Sequence, residues 1–400
     1  MSCVLPSTRP KRLSPQTARY GVPQPNVDQQ MGGFLDKPIT EKHVNIGCGN
    51  GIRYCVSSMQ GWRLEMEDSH TTNCRLPKPY EDWSFFAVYD GHAGHRVASH
   101  CSTKMLDAIL STEAFTKGQY AAGIRAAFLK IDEDMRLLPL EKPGGSTAVC
   151  VFVTPQQYIF ANCGDSRAVL SRRGLAVFST RDHKPTLPLE RARIQKAGGS
   201  VIIHRVNGTL AVSRALGDFD FKSDALRTPC DQLVSPEPDV TTRERIEKDE
   251  FLVVACDGIW DVMTSDEVCA FIHWRMRVTD NLPLIVNSIL DVCLYKGSRD
   301  NMSLLLVILP GAPGVCADAV LQDRLLDEAV AEKTRQVIHD NNIVDFDDLL
   351  RAMNGVDIII SNLPPGGGIY AKYHIIERVF REMFPNKTAD FFEFSHITGL

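Results

Sequence analysis

The stretch FLVVACDGIWDVM, residues 251–263, decides how this chain is read. An apolar run of the kind that lies inside a sheet stops at Asp257-Gly258, and a second acid follows at Asp261. Asp-Gly is a common turn pair, so a single ending of this kind needs no further cause. The chain repeats it. In FFAVYDGHAGH, residues 85–95, the run from Phe85 to Tyr89 enters Asp90-Gly91. A third acid, Asp300, stands directly before NMSLLLVIL, residues 301–309. The question is whether these strand ends meet.

Composition narrows the possibilities. The 400 residues are 44% hydrophobic and 23% charged with a net charge of −5, which suits a soluble globular chain of one large domain plus extras. The acidic balance argues against a general nucleic-acid binder. No apolar run approaches the ~20 residues of a membrane helix. The 12 cysteines include no Cys-x-x-Cys pair. Cys150, Cys163 and Cys256 sit in apolar runs, as reduced, packed thiols do in a cytosolic or nuclear protein, and a structural zinc site is not expected. No secretory signal is read at the N-terminus. Residues 1–30, rich in proline and with Asp28 as their one acid, read as a disordered arm.

From about residue 51 to 309, strand-like runs such as WSFFAVYD, STAVCVFV, QYIFANCG, RAVLSRRG, LAVFST and MSLLLVIL alternate with helical patterns at 94–111, 120–137, 189–197, 265–277 and 281–295. QYIFANCGDSRAVLSRRG reads as a hairpin turning near Gly164-Asp165. Several strands follow one another without helices between them. This favours an α+β fold, antiparallel sheets with helices packed outside, over a doubly wound parallel sheet. Beyond Pro310 the pattern is helical only: a long helix over 318–340, a short one over 345–353, a break at LPPGGG, and a third over 373–384. There Ile376, Val379, Phe380 and Met383 share one face. This is a small all-α C-terminal domain, 311–385, followed by a tail, 386–400, with Phe391, Phe392 and Phe394 close together.

The acids Glu67, Asp90, Asp257 and Asp300 carry the chemistry. Isolated at buried strand ends they would be poorly solvated, and gathered together they would repel. Divalent cations remove both problems. An all-oxygen set favours Mg2+ or Mn2+ over zinc, and four carboxylates suit two ions about 4 Å apart. Two such ions acidify a water for in-line attack on phosphorus. Arg63 can hold the phosphate oxygens and His92 can protonate the departing alkoxide. Each residue also has a plain structural reading: turns for the Asp-Gly pairs, surface acids at Glu67 and Asp68, a surface ion pair at Arg63, a turn histidine at His92.

GWRLEMEDSH, FFAVYDGHAGHRVA, GGSTAVCVFV, NCGDSRAVL, NGTLAVSRALGDFDFK, SPEPDV, VVACDGIWDVM and SRDNMSLLLV occur in the order found in the PPM family of metal-dependent type 2C Ser/Thr protein phosphatases. The chain resembles that family over nearly all of residues 51–309. MGGFLDKP and LPPGGGIYAKYHIIERVF resemble the ends of its animal alpha and beta members, which carry a C-terminal helical domain. The resemblance implies two facing antiparallel sheets flanked by helices, a catalytic domain over 31–310, and a flap at about 181–235. It implies that Asp90 bridges two Mn2+ or Mg2+ ions, that Glu67 and the Gly91 carbonyl complete one, and that Asp257 and Asp300 serve the other. Arg63 would hold substrate phosphate, Asp68 would position water, His92 would be the general acid, and Asp165 with Asp257 and Asp261 would form a third, weaker metal site.

The expectation is a monomeric protein phosphatase acting on phosphorylated proteins, located in the cytoplasm and also the nucleus. A non-catalytic scaffold of the same fold and a hydrolase of small phosphate esters are the competing readings. Acylation at Gly32 would need translation from Met31 or removal of the arm, and Asp36 stands where the acylation pattern usually has Ser or Thr.

Overall fold

The computed structural model describes residues 33–138, 144–355 and 358–387. The arm, Gly32 and the phenylalanines of the tail lie outside the described residues. The principal strands are β1 (Phe34–Gly49), β2 (Ile52–Arg63), β3 (Ser69–Asn73), β4 (Ser84–Tyr89), β5 (Ala148–Val153), β6 (Gln157–Cys163), β7 (Arg167–Arg172), β8 (Leu175–Ser179), β9 (Asp239–Glu244), β10 (Phe251–Ala255) and β11 (Met302–Ile308). They form a six-stranded sheet, β1-β2-β11-β10-β7-β8, and a five-stranded sheet, β9-β6-β5-β4-β3. Neighbouring strands within both are antiparallel. The helices of eight or more residues are α1 (Arg96–Ser111), α2 (Tyr120–Arg136), α3 (Pro188–Lys196), α4 (Ser265–Val278), α5 (Leu282–Tyr295), α6 (Ala317–Asp340), α7 (Phe346–Met353) and α8 (Tyr373–Met383).

The run at 251–255 is apolar throughout because both of its faces are covered. Successive side chains of a strand point to opposite faces. Leu252 and Val254 of β10 pack between the sheets with Phe86 and Val88 of β4, Val149 and Val151 of β5, and Leu305 and Val307 of β11. Phe251, Val253 and Ala255 face the other way, onto Val268 and Ile272 of α4 and Ile285 and Ile289 of α5. On the far side, Phe85 and Ala87 of β4 pack against α1 and α2 through Cys101, Met105, Ile124 and Phe128. The result is a helix–sheet–sheet–helix sandwich, an α+β fold.

The sequence reading of a hairpin across Gly164-Asp165 is wrong. β6 pairs with β5 and β9 in one sheet, while β7 pairs with β10 and β8 in the other. The chain crosses between sheets at residues 164–166, and Gly164, at φ +113°, lies where a Cβ would strike the Thr147 side chain. The tight hairpin forms one strand later, where Arg173 and Gly174 both take positive φ between β7 and β8. This pattern matches the twist of paired strands. β1, β2, β3 and β9 were not read from the sequence either. Much of β1 and β9 is exposed or polar, and β2 buries Ser57 and Ser58, so the apolar signal is diluted.

The helices past residue 316 have their own core, in which Val330, Leu349, Ile376, Val379 and Phe380 are buried. Asp345 caps α7 by accepting from the backbone N–H groups of Asp347 and Asp348. Met383, expected on the apolar face of α8, is 40% exposed, because the helix ends there and its last turn leaves the core. Lys372, only 2% exposed, donates to Asp323 and Asp327 of α6 and lies over the Trp274 ring of α4. It therefore ties the helical region to the sandwich. Lys372→Met removes the cation that Asp323 and Asp327 share, leaving Asp323 only its 3.4 Å contact with Arg275, and a loss of about 2 kcal/mol is expected. Hydrogen exchange should show α6 and α8 opening first, with β10 and β11 still protected.

Candidate active site

Antiparallel register gathers the strand ends. Ala255 at the end of β10 faces Leu304 near the start of β11 and Arg167 at the start of β7. Met302 faces Met59 of β2, which runs on to Arg63. In the opposing sheet, Val88 of β4 faces Val149, and Ala148 faces Cys163. Asp257, Asp300, Arg63, Asp90 and the 164–166 crossing therefore emerge at one end of the sandwich. Oxygens of Asp90, Asp165 and Asp257 lie within 4.8 Å of one another, and so do ligand atoms of Asp68, Asp90 and Cys256.

Lys184 at Asp165 and Arg63 at Asp300 offset only part of this concentration of charge. Burial raises the Asp90 pKa well above the ordinary carboxylate value, and Asp257, Asp68, Asp300 and Asp165 add to the rise. Asp257 is raised in the same way by burial, then by Asp165, Asp300 and Asp261, with Lys184 opposing. Asp261 is also raised, chiefly by burial. Asp68 is pushed up to about 7 by burial, with Asp300 and Glu67 contributing. The Ser303 hydroxyl and the Cys256 thiol lie close enough to pull the other way as donors, though neither meets full hydrogen-bond geometry. Both Asp68 carboxylate oxygens are buried and have no hydrogen-bond partner. Orphaned buried carboxylate oxygens are costly and call for a ligand. The oxygen donors fit hard divalent cations. The one sulfur does not compete with them. The Cys256 thiol is bonded to the Asn301 carbonyl (3.4 Å) and the Ser303 N–H (3.1 Å), and burial pushes its pKa well up, so it stays a neutral thiol.

The remaining expected residues lie around this cluster. Arg63 Nη2 donates to Asp300 Oδ2 at 2.6 Å, so the expected phosphate holder here rests on an expected metal ligand. Glu67 Oε1 accepts from Gly94 N at 2.5 Å. A Cβ on Gly91 would lie 2.5 Å from the Glu67 carbonyl, and one on Gly258 would lie 2.0 Å from the Asn301 carbonyl. Glycine at both Asp-Gly pairs thus serves close backbone approach. For His92, burial alone would lower the pKa, but Asp218, Asp165 and Glu67 outweigh it and the net shift is upward.

Four supporting residues were missed in the sequence. Lys184 pairs with Asp165, which is itself 2% exposed. Asp218 Oδ2 lies 2.7 Å from His92 Nε2. Thr147 Oγ1 accepts from Asp90 N at 3.2 Å and contacts the Ser166 hydroxyl at 2.7 Å. Asn301 accepts from Glu67 N (2.8 Å) and donates to the carbonyls of Gln60 (2.8 Å) and Glu65 (3.0 Å), pinning the loop that carries Glu67 and Asp68. The one sequence signal for Asn301 was its place beside Asp300 at a strand start.

Residues 52–302 match the family described as Protein phosphatase 2C, and residues 303–381 match Protein serine/threonine phosphatase 2C, C-terminal domain. The chain is 51% identical over 377 residues to Protein phosphatase 1B of Rattus norvegicus, covering 90% of this chain and 97% of that one. It is 50% identical over 375 residues to Protein phosphatase 1A of Homo sapiens, covering 90% and 97%. Among solved structures it resembles a phosphatase from Toxoplasma gondii at a TM-score of 0.60 and 26% identity, over 68% of this chain and 96% of that one.

The raised carboxylates predict how the metal-free protein responds to pH. An acid whose folded pKa exceeds its unfolded value, ordinarily about 3.9 for Asp, stabilises the fold below that value and loses this contribution as pH rises through the folded pKa. For Asp68 the window runs from about 4 to about 7, and Asp90 and Asp257 extend it upward. In chelator, the melting temperature should fall between pH 5 and 8 by about 5 °C or more. Asp257→Asn should flatten that fall and raise the melting temperature at pH 8. A flat wild-type profile would contradict the crowding described.

Proposed function

Because the chain belongs to the protein phosphatase 2C family and is thereby a serine/threonine protein phosphatase, we propose that it hydrolyses phosphoserine and phosphothreonine in proteins with two Mn2+ or Mg2+ ions per active site and no covalent enzyme intermediate. The observation that carries this reading is the convergence of Asp68, Asp90, Asp165 and Asp257 from separate elements, with the Asp68 oxygens unpartnered. Asp90 would be shared between the ions. Glu67 and the Gly91 carbonyl would complete one, and Asp257 and Asp300 the other. Asp165, with Asp257 and Asp261, would hold a third, weaker one, for which the Lys184 ammonium competes at Asp165. When bound, the ions supply a water acidic enough to attack phosphorus.

The side chains of the chain do the rest. Asp68, with two free oxygens, accepts a hydrogen of the attacking water and fixes its direction. Arg63 exchanges its contact with Asp300 for the phosphate oxygens, which a guanidinium can hold in pairs. His92, with its raised pKa, keeps a proton for the departing Ser or Thr oxygen. The catalytic region is assigned to residues 31–310, with the flap at about 181–235, and the helical region to 311–385. No helix among the described residues is long and apolar enough to cross a membrane. A monomeric state and a cytoplasmic and nuclear location belong to the same proposal.

With Mn2+ and a phosphothreonine peptide, the wild type should release phosphate, and Asp257→Asn should lose about 100-fold or more of that rate. Absence of metal-dependent release by the wild type would overturn the reading. His92→Ala should lower kcat on the peptide about 100-fold but on p-nitrophenyl phosphate only a few fold, since a nitrophenolate leaves without a proton. Equal losses on both esters would remove His92 as the acid.

A further inference from the structure

We propose that Asp218 is a positioning residue for His92: its carboxylate holds the Nε2 side of the imidazole, so that Nδ1 is the nitrogen that delivers the proton to the departing oxygen. The inference rests on the phosphatase reading and deepens it. Asp218 stands in NGTLAVSRALGDFDFK, a segment quoted for its resemblance and given no role by it.

The contact is short and enclosed. His92 Nε2 lies 2.7 Å from Asp218 Oδ2, and the Asp218 side chain is 7% exposed. The two residues are 126 positions apart, so the contact is tertiary and not an accident of a local turn. Asp218 reaches it from a left-handed backbone, φ +48°, with its own N–H donated to the Gly144 carbonyl at 2.7 Å. A non-glycine residue at positive φ is uncommon and persists where its surroundings hold it. The surroundings here are specific. Asp132 of α2, buried, accepts from Gly217 N at 2.8 Å and from Lys222 Nζ at 2.7 Å, while Lys222 also donates to the Ala215 carbonyl at 2.8 Å. This internal ion pair clamps the chain on both sides of Asp218. Gly145 leaves the space the pair occupies. A Cβ there would fall 2.1 Å from Asp218 Oδ2 and 2.4 Å from His92 Nε2.

A carboxylate can only accept, so it selects the ring form that carries hydrogen on Nε2. In the proton transfer, the N–H bond at Nδ1 breaks as an O–H bond forms on the departing Ser or Thr oxygen. The imidazole is left neutral with its Nε2–H still on Asp218, and solvent restores the lost proton. Without Asp218 the ring can rotate and exchange tautomers, and proton delivery becomes one arrangement among several.

The test uses the full chain loaded with Mn2+ and compares wild type, Asp218→Asn, Gly145→Ala, His92→Ala and the Asp218→Asn/His92→Ala double variant. Each is assayed on a phosphothreonine peptide and on p-nitrophenyl phosphate, with melting temperature and Mn2+ affinity measured alongside. Asp218→Asn and Gly145→Ala should lower kcat on the peptide by about 10-fold or more and on the aryl ester much less. KM and Mn2+ affinity should hold. The double variant should be no slower on the peptide than His92→Ala alone, because the two residues act as one unit. Gly145→Ala reaches the pair from outside it, so the pattern stays readable if Asp218→Asn folds poorly. Equal losses on both esters, or losses that multiply in the double variant, would overturn the proposal. If His92→Ala shows the leaving-group split and the Asp218 and Gly145 variants do not, only this inference falls. If His92→Ala shows no split, the assignment of the acid falls with it, while metal-dependent phosphate release by the wild type leaves the phosphatase reading standing.

Discussion

Mutual repulsion among carboxylates that the sheets do not allow to separate is the constraint on which the rest of this structure depends. Asp90 and Asp257 stand at the ends of β4 and β10, whose side chains are buried on both faces. Neither strand can slide without re-pairing its ladder and repacking both of its buried faces. Asp165 is held in the crossing between the sheets, where Gly164 packs against Thr147. The acids cannot relax by moving apart, so they relax by binding protons or cations. Lys184 at Asp165 and Arg63 at Asp300 are partial answers from the chain itself. Asp68 has none. A site built this way gives up stability to keep its acids together.

Polar groups buried around the site convert that tension into fixed geometry. Asn301 pins the loop of Glu67 and Asp68, Thr147 pins the backbone of Asp90, and the Asp132–Lys222 pair pins the segment that carries Asp218. Each is buried with its hydrogen bonds largely met, and a satisfied internal network specifies one arrangement where apolar packing alone would tolerate several. The glycines at 91 and 258 do the complementary work of letting backbone approach backbone. The clustered acids sit on strand ends and short turns, and the groups that brace them come from helix α2, from Thr147 and Asn301 beside the strands, and from Lys184 and residues 218–222. One substitution among the supports can therefore alter the geometry of the cluster without touching one of its acids.

The strands most visible in the sequence were those with side chains buried on both faces, such as 84–89, 148–153, 251–255 and 302–308. The helices were visible in their spacing, within a residue or two at each end. β1 and β9 were not, because an edge strand facing water need not be apolar. The error at Gly164-Asp165 has the same root. Two strands joined by a short turn look like a hairpin, and only the competition among partners shows that β6 and β7 belong to different sheets. That crossing is what carries Asp165 to the shared centre, so the misread turn and the missed Lys184 contact are one omission.

The sequence by itself determined the acids that end the central strands, the all-oxygen character of the donor set, the α+β layering and the helical region past residue 316. These are local properties, and residue type and spacing record them. Tertiary structure decided which charges meet. Arg63 and Asp300 are 237 positions apart, His92 and Asp218 are 126 apart, and Asp68 meets no cation among the described residues of the chain. Pairing depends on how two sheets are stacked and staggered. No stretch of the chain records that, because the stacking energy is spread over the whole interlayer core while each charge pair is set by a few ångströms at its rim.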